Sequence, residues 1–112
     1  MNIVEALGLL EEKGDIPFII PSRRKIAFKS KSALDQQTIL LPRTIELIHF
    51  YHYQSLDILE SDKGSILQRA KKDCFDKAPV EIIAGNLYIL YFKSATKGES
   101  KIELMLKELF VH

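Results

Sequence analysis

The dipeptide Gly85-Asn86 constrains this chain more than any other feature. It sits between two apolar, strand-prone runs, Val80-Glu81-Ile82-Ile83-Ala84 and Leu87-Tyr88-Ile89-Leu90-Tyr91-Phe92-Lys93, and a two-residue loop of this kind closes a tight antiparallel hairpin. The loop length also fixes the register. Ala84 falls opposite Leu87, Ile83 opposite Tyr88, Ile82 opposite Ile89, Glu81 opposite Leu90 and Val80 opposite Tyr91, and opposed residues share a face. One face of the hairpin is then wholly apolar and the other largely so. A strand that is apolar on both sides must be covered on both sides. If the helices lie on one face, either a second layer of the same chain or a partner must cover the other.

The rest of the chain supplies the candidates. Asn2, followed by Glu5, predicts a capped helix over Asn2 to Lys13 with Ile3, Leu7 and Leu10 on its apolar side and Gly14 as its stop. Residues 16–21, bracketed by Pro17 and Pro21, read as an extended buried connection or edge strand. From Arg23 to Lys31 the residues alternate, with Ile26 and Phe28 on one side and Arg23, Lys25, Lys29 and Lys31 on the other. Residues 32–37 read as a polar turn and Thr38 to Leu41 as a strand ended by Pro42. The β-branched and aromatic residues of Arg43 to Tyr53 favour a strand, although a helix after Pro42 is the competing reading. A second helix starts at Ser61 or Asp62, carries Ile66, Ala70 and Cys74 on one side, and closes before Pro79. Ser100 and Glu103 form a capping box opening a third helix with Ile102, Met105, Leu106, Leu109 and Phe110 on one side, and Glu103 and Lys107 form an i,i+4 pair.

This succession specifies an α+β fold: one small domain spanning residues 1–112, with an antiparallel or mixed sheet of four to five strands, three helices packed mainly on one face, and the order α-β-β-(β)-α-β-β-α. A length of 112 residues suits a single core. The order of elements is similar to that of type III secretion chaperones in succession alone; no motif accompanies the likeness, and it assigns no family. No apolar run reaches the 18 or so residues that span a bilayer, and Glu5, Glu11 and Glu12 stand where a secretory leader would be basic, so no membrane partner and a cytoplasmic location are expected. The single cysteine, Cys74, excludes an internal disulfide.

Signatures of chemistry are sparse. The sequence has no G-x-S-x-G elbow, P-loop or G-x-G-x-x-G. His49 and His52 would meet at a metal only on a helix, since positions three apart on a strand point to opposite faces. Cys74, on the apolar stripe of its helix, reads as a small buried hydrophobe rather than as a nucleophile paired with a histidine. The acid pairs Asp57 and Glu60, and Asp73 and Asp76, read as solvated helix faces. No cofactor, metal or catalytic residue is expected, although a small enzyme centred on Cys74 or on His49 and His52 is retained as an alternative.

Two surfaces remain. The first is the outer sheet face around Tyr88, Leu90 and Phe92, extended by Tyr51 and Tyr53, where tyrosines could anchor a protein partner or a second copy in a homodimer. The second is the basic row Arg23, Arg24, Lys25, Lys29 and Lys31, whose alternating members stand roughly 6.6–6.8 Å apart on a strand and could follow a nucleic-acid backbone. The first makes a protein-binding or assembly module the leading expectation, with nucleic-acid binding or regulation as the alternative.

Overall fold

The computed structural model describes residues 1–14, 16–20, 30–44, 46–73, 79–92 and 101–111. Its elements are α1 (Ile3–Lys13), β1 (Asp35–Leu41), β2 (Glu46–His52), α2 (Leu56–Asp73), β3 (Val80–Ala84), β4 (Leu87–Phe92) and α3 (Lys101–Phe110). The four strands form one antiparallel sheet in the order β1-β2-β4-β3. The β3–β4 hairpin has the register set by its two-residue loop, from Ala84 opposite Leu87 to Val80 opposite Tyr91. Gly85 has φ +63°, the left-handed conformation that the first loop position of a tight hairpin turn requires and that glycine adopts without strain.

Two apolar layers sandwich the sheet. On one face, Ile39, Leu41, Ile48, Phe50, Ile82, Leu87, Ile89 and Tyr91 pack against Ile3, Ala6 and Leu10 of α1 and Ile102, Leu106 and Phe110 of α3. On the other, Tyr51, Tyr53, Tyr88 and Leu90 pack beneath Leu59, Ile66 and Ala70 of α2. Two of the three helices therefore share a face, and α2 takes the opposite one. The expectation that the outer face awaits another chain is corrected here, because a helix of the same chain buries it.

Helix ends follow local chemistry. The Asn2 side chain accepts from the Glu5 backbone N–H at 2.8 Å, and the Glu5 carboxylate accepts from the Asn2 N–H at 3.4 Å, closing the capping box at α1. Gly14 follows in an extended conformation, φ −77°, and its N–H donates to the Leu10 carbonyl at 2.9 Å. A Cβ at this position would lie 2.5 Å from that same oxygen, so close approach, rather than a left-handed turn, accounts for the glycine. α2 begins earlier than its expected caps, Ser61 and Asp62. The Ser55 hydroxyl accepts from the Ile58 N–H at 3.3 Å and the Ser55 carbonyl from the Leu59 N–H at 3.2 Å, so Ser55 does the capping and brings Leu59 into the buried stripe.

β1 also starts earlier than expected, at Asp35. Its polar residues are tolerated because the strand lies at the sheet edge, where one row of backbone groups faces away from the ladder. Residues 16–20 run beside it as an extended edge connection that is bridged once rather than paired as a strand, and it is not buried as expected, since Ile19 and Ile20 are exposed. Ile19 exchanges two backbone hydrogen bonds with Leu40, each 2.9 Å, while Ile16 and Phe18 pack against the α1/α3 layer. Within the expected segment Arg43 to Tyr53, Glu46–His52 form a strand, β2, and Arg43 and Thr44 lie in the turn before it. The expected strand over 23–31 falls outside the described residues except for its end.

Ile66 is fully buried between α2 and the tyrosine-rich face. Ile66→Ala should lower the free energy of unfolding by about 2–4 kcal/mol, seen as a lower urea midpoint with an unchanged slope. A loss below 0.5 kcal/mol, the range of surface substitutions, would mean that α2 does not seal this face.

Candidate interaction edge

The residues expected to meet a partner lie inside the molecule. Tyr51, Tyr53, Tyr88 and Leu90 are each 0% exposed, and only Phe92 is half-buried. Tyrosine serves here because its body packs under α2 while its hydroxyl reaches a carboxylate at the border of that layer. Tyr53 donates to Asp62 Oδ2 at 2.6 Å, and Tyr88 donates to Glu81 Oε1 at 2.7 Å. Asp62 Oδ2 also accepts from the Ser30 hydroxyl at 2.5 Å, and Ser30 Oγ accepts in turn from the Ser32 and Ala33 N–H groups. The backbone of Tyr53 holds the hairpin turn: its N–H donates to the Asn86 carbonyl at 2.9 Å and its carbonyl accepts from Asn86 Nδ2 at 2.6 Å. Burial, reinforced for Tyr53 by Asp62 and for Tyr88 by Glu81, pushes these phenols above their ordinary range and keeps them protonated as donors. Burial likewise raises Tyr51, with the Arg69 charge opposing the rise.

The two histidines separate as a strand requires. His49 lies on the α2 side, opposite Leu90, with Nδ1 2.8 Å from the Thr38 hydroxyl and its ring edge-on to Phe92 at 5.1 Å. His52 lies on the other side, in a cross-strand row with Asp35 and Leu87. Among the described residues, no three His, Cys, Asp or Glu side chains converge as metal ligands. Cys74, Asp76 and His112 lie outside the described residues, as do Arg23, Arg24, Lys25 and Lys29; Lys31 is exposed. No described helix is long and apolar enough to cross a membrane.

What the described surface does offer is the outer edge of β3. A two-residue hairpin makes Ala84–Leu87 a hydrogen-bonded pair, and alternation makes Ile82–Ile89 and Val80–Tyr91 the next two. The N–H and C=O groups of Glu81 and Ile83 therefore point away from β4, and β3 has no strand on that side among the described residues. A groove of roughly 420 Å³ runs beside this edge, lined by Glu81 and Ile82 of β3 and by Leu104, Lys107, Glu108 and Val111 at α3. A second hollow continues it past Ile83, Ala84 and Gly85 to Met1, Phe110 and Val111. Three of the large apolar side chains left exposed border this strip: Met1 at 45%, Leu104 at 46% and Val111 at 52%. The signal in the sequence is a hairpin whose first strand lacks lysine and is preceded rather than interrupted by proline.

Burial lowers the His49 pKa from its ordinary 6.5 to about 4, leaving the ring neutral. The unfolded chain takes up this proton near pH 6.5 and the folded chain only near 4, so the associated stability is complete above the first value and is lost as pH falls to the second. Urea unfolding between pH 7.5 and 4.5 should show the parent losing about 2–3 kcal/mol more than His49→Gln, which keeps a hydrogen-bonding group without titrating. Parallel pH profiles would refute a buried neutral His49. Comparison with family models, with curated proteins and with solved structures finds no match to this chain.

Proposed function

We propose that this chain is a protein-binding or assembly module, without enzymatic chemistry of its own, whose contact element is the open edge of β3. The edge takes up an extended strand from another polypeptide. The observation that carries this reading is the outward row of backbone groups at Glu81 and Ile83, set against the apolar groove of α3. Outward N–H and C=O groups in a strand are matched in spacing and direction by another extended backbone, which supplies affinity, while a flanking pocket reads alternate side chains.

The two sheet edges are not equivalent. β1 carries Gln36 and Thr38 outward, and Leu40 is already bonded to Ile19. β3 carries one charge, Glu81, whose carboxylate is held by the Tyr88 hydroxyl. An edge this lightly guarded favours pairing.

A synthetic peptide copying Val80 to Ala84, with polar flanks and blocked ends, is the direct probe. Added to the full chain at a dilution where the chain sediments as a monomer, it should slow hydrogen exchange at the Glu81 and Ile83 amides, and the same peptide N-methylated at alternate positions should not. Exchange at these two amides that is indifferent to the peptide, or equally slowed by its N-methylated form, would refute strand addition.

A further inference from the structure

We infer that the strand taken up at β3 is the β3 of a second copy of this chain, paired antiparallel about a two-fold axis at Ile82. The inference rests on the strand-addition reading and adds the partner and its register. Only Glu81 and Ile83 offer outward backbone groups within β3, so a symmetric pairing has few registers. Centring on Glu81 sets two carboxylates directly opposite each other, which is unfavourable. Centring on Ile83 brings Gly85 of the turn against Glu81 and moves the pair off the strand. Centring on Ile82 matches Glu81 with Ile83 of the second copy, and Ile83 with its Glu81. Both pairs exchange two hydrogen bonds, and Val80, Ile82 and Ala84 form one apolar row with their counterparts.

The helix beside the edge is self-complementary about the same axis. Leu104, Lys107, Glu108 and Val111 follow one another at helical spacing along the groove, and the Val111 N–H still donates to the Lys107 carbonyl at 2.9 Å. Lys107 and Glu108 lie midway along this row, and both line the groove with Ile82. A two-fold axis at Ile82 runs the two α3 helices antiparallel on the same side of a continuous eight-stranded sheet. It sets Leu104 against Val111 of the second copy and Lys107, whose Nζ also donates to Glu103 Oε2 at 3.1 Å, against its Glu108. Opposite charges meet at the centre and exposed apolar side chains meet at both ends. An unrelated strand would satisfy the edge but not this reversed pattern, in which one surface is its own complement.

Sedimentation equilibrium of the full chain should give twice the 12.8 kDa monomer mass at micromolar concentration. Ile83→Pro removes an outward N–H at an edge position where proline is tolerated, and it should give a monomer that still unfolds cooperatively. Glu108→Lys sets like charges against each other and should raise the dimer dissociation constant about tenfold or more, as should Lys107→Glu. Mixing these two variants restores both charge pairs and should restore association. A monomeric parent at ~100 μM, a dimer indifferent to Ile83→Pro, or a mixture that associates no better than its components would each overturn the inference. If the parent is monomeric while the β3 peptide still protects Glu81 and Ile83, strand addition stands and the second copy is excluded; if the peptide also fails, both readings fall.

Discussion

The architecture follows from one strand that has no polar side. β4 sends Leu87, Ile89 and Tyr91 to one face and Tyr88, Leu90 and Phe92 to the other, and the first five of these are buried. An antiparallel sheet commonly leaves one face in water. This one cannot, so β4 sits inside the sheet between β2 and β3, with helices above and below. The helices differ in kind. α3 and α1 present buried apolar stripes to a face whose apolar side chains are aliphatic apart from Phe50 and Tyr91, with the buried Glu46 among them. α2 is longer and more polar, yet its Leu59, Ile66 and Ala70 suffice to close the other face because the large side chains there belong to the sheet.

Putting tyrosines into that second layer creates an obligation that the surrounding acids meet. A buried hydroxyl without a partner costs on the order of 1–3 kcal/mol, so each ring's tip must reach something polar. Asp62 and Glu81 stand at the rim and accept from Tyr53 and Tyr88, and on the opposite face Glu46 accepts from Tyr91 at 2.9 Å. Among the described residues, no buried side-chain nitrogen or oxygen lacks a partner. Asp62 does more than satisfy a phenol. By also accepting from Ser30, it ties the segment before β1 to the middle of α2, so the loop, the helix and the end of β2 share one carboxylate oxygen.

Much of this could be read from the residues, because hairpin geometry and capping are local. Gly85-Asn86 dictated five cross-strand pairs, Asn2 and Glu5 dictated a helix start, and the separation of His49 from His52 followed once β2 was a strand. What the residues did not disclose was non-local. The two-sided apolarity of β4 was legible, but not the identity of the covering layer, since α2 looks too polar for the task when its own composition is considered without the tyrosines beneath it. The start of α2 was misplaced because Ser61 and Asp62 resemble caps as well as Ser55 does, and only tertiary packing of Leu59 chooses between them. Tyrosines in a row suggested an interface because their amphipathic chemistry is the same at an interface and at the rim of a core; the deciding fact is where the nearest carboxylate lies, and that depends on the fold.

The proposed partner at an edge differs from one that would bind a face. A face recognises shape and apolar area, whereas an edge demands an extended backbone first and side chains second. Closing both faces with the chain's own helices leaves the sheet, among the described residues, two outlets, its edges, and a sheet ordered β1-β2-β4-β3 places one strand of the hairpin at an outlet by necessity. At β1, Ile19 occupies part of the outlet. At β3 the geometry of the two-residue turn decides which amides face outward, and it selects Glu81 and Ile83 rather than Val80, Ile82 and Ala84. Thus the Gly85-Asn86 loop that sets the internal register also sets the register of any strand added outside it, and a shift of one residue in that turn would exchange the inward and outward rows together.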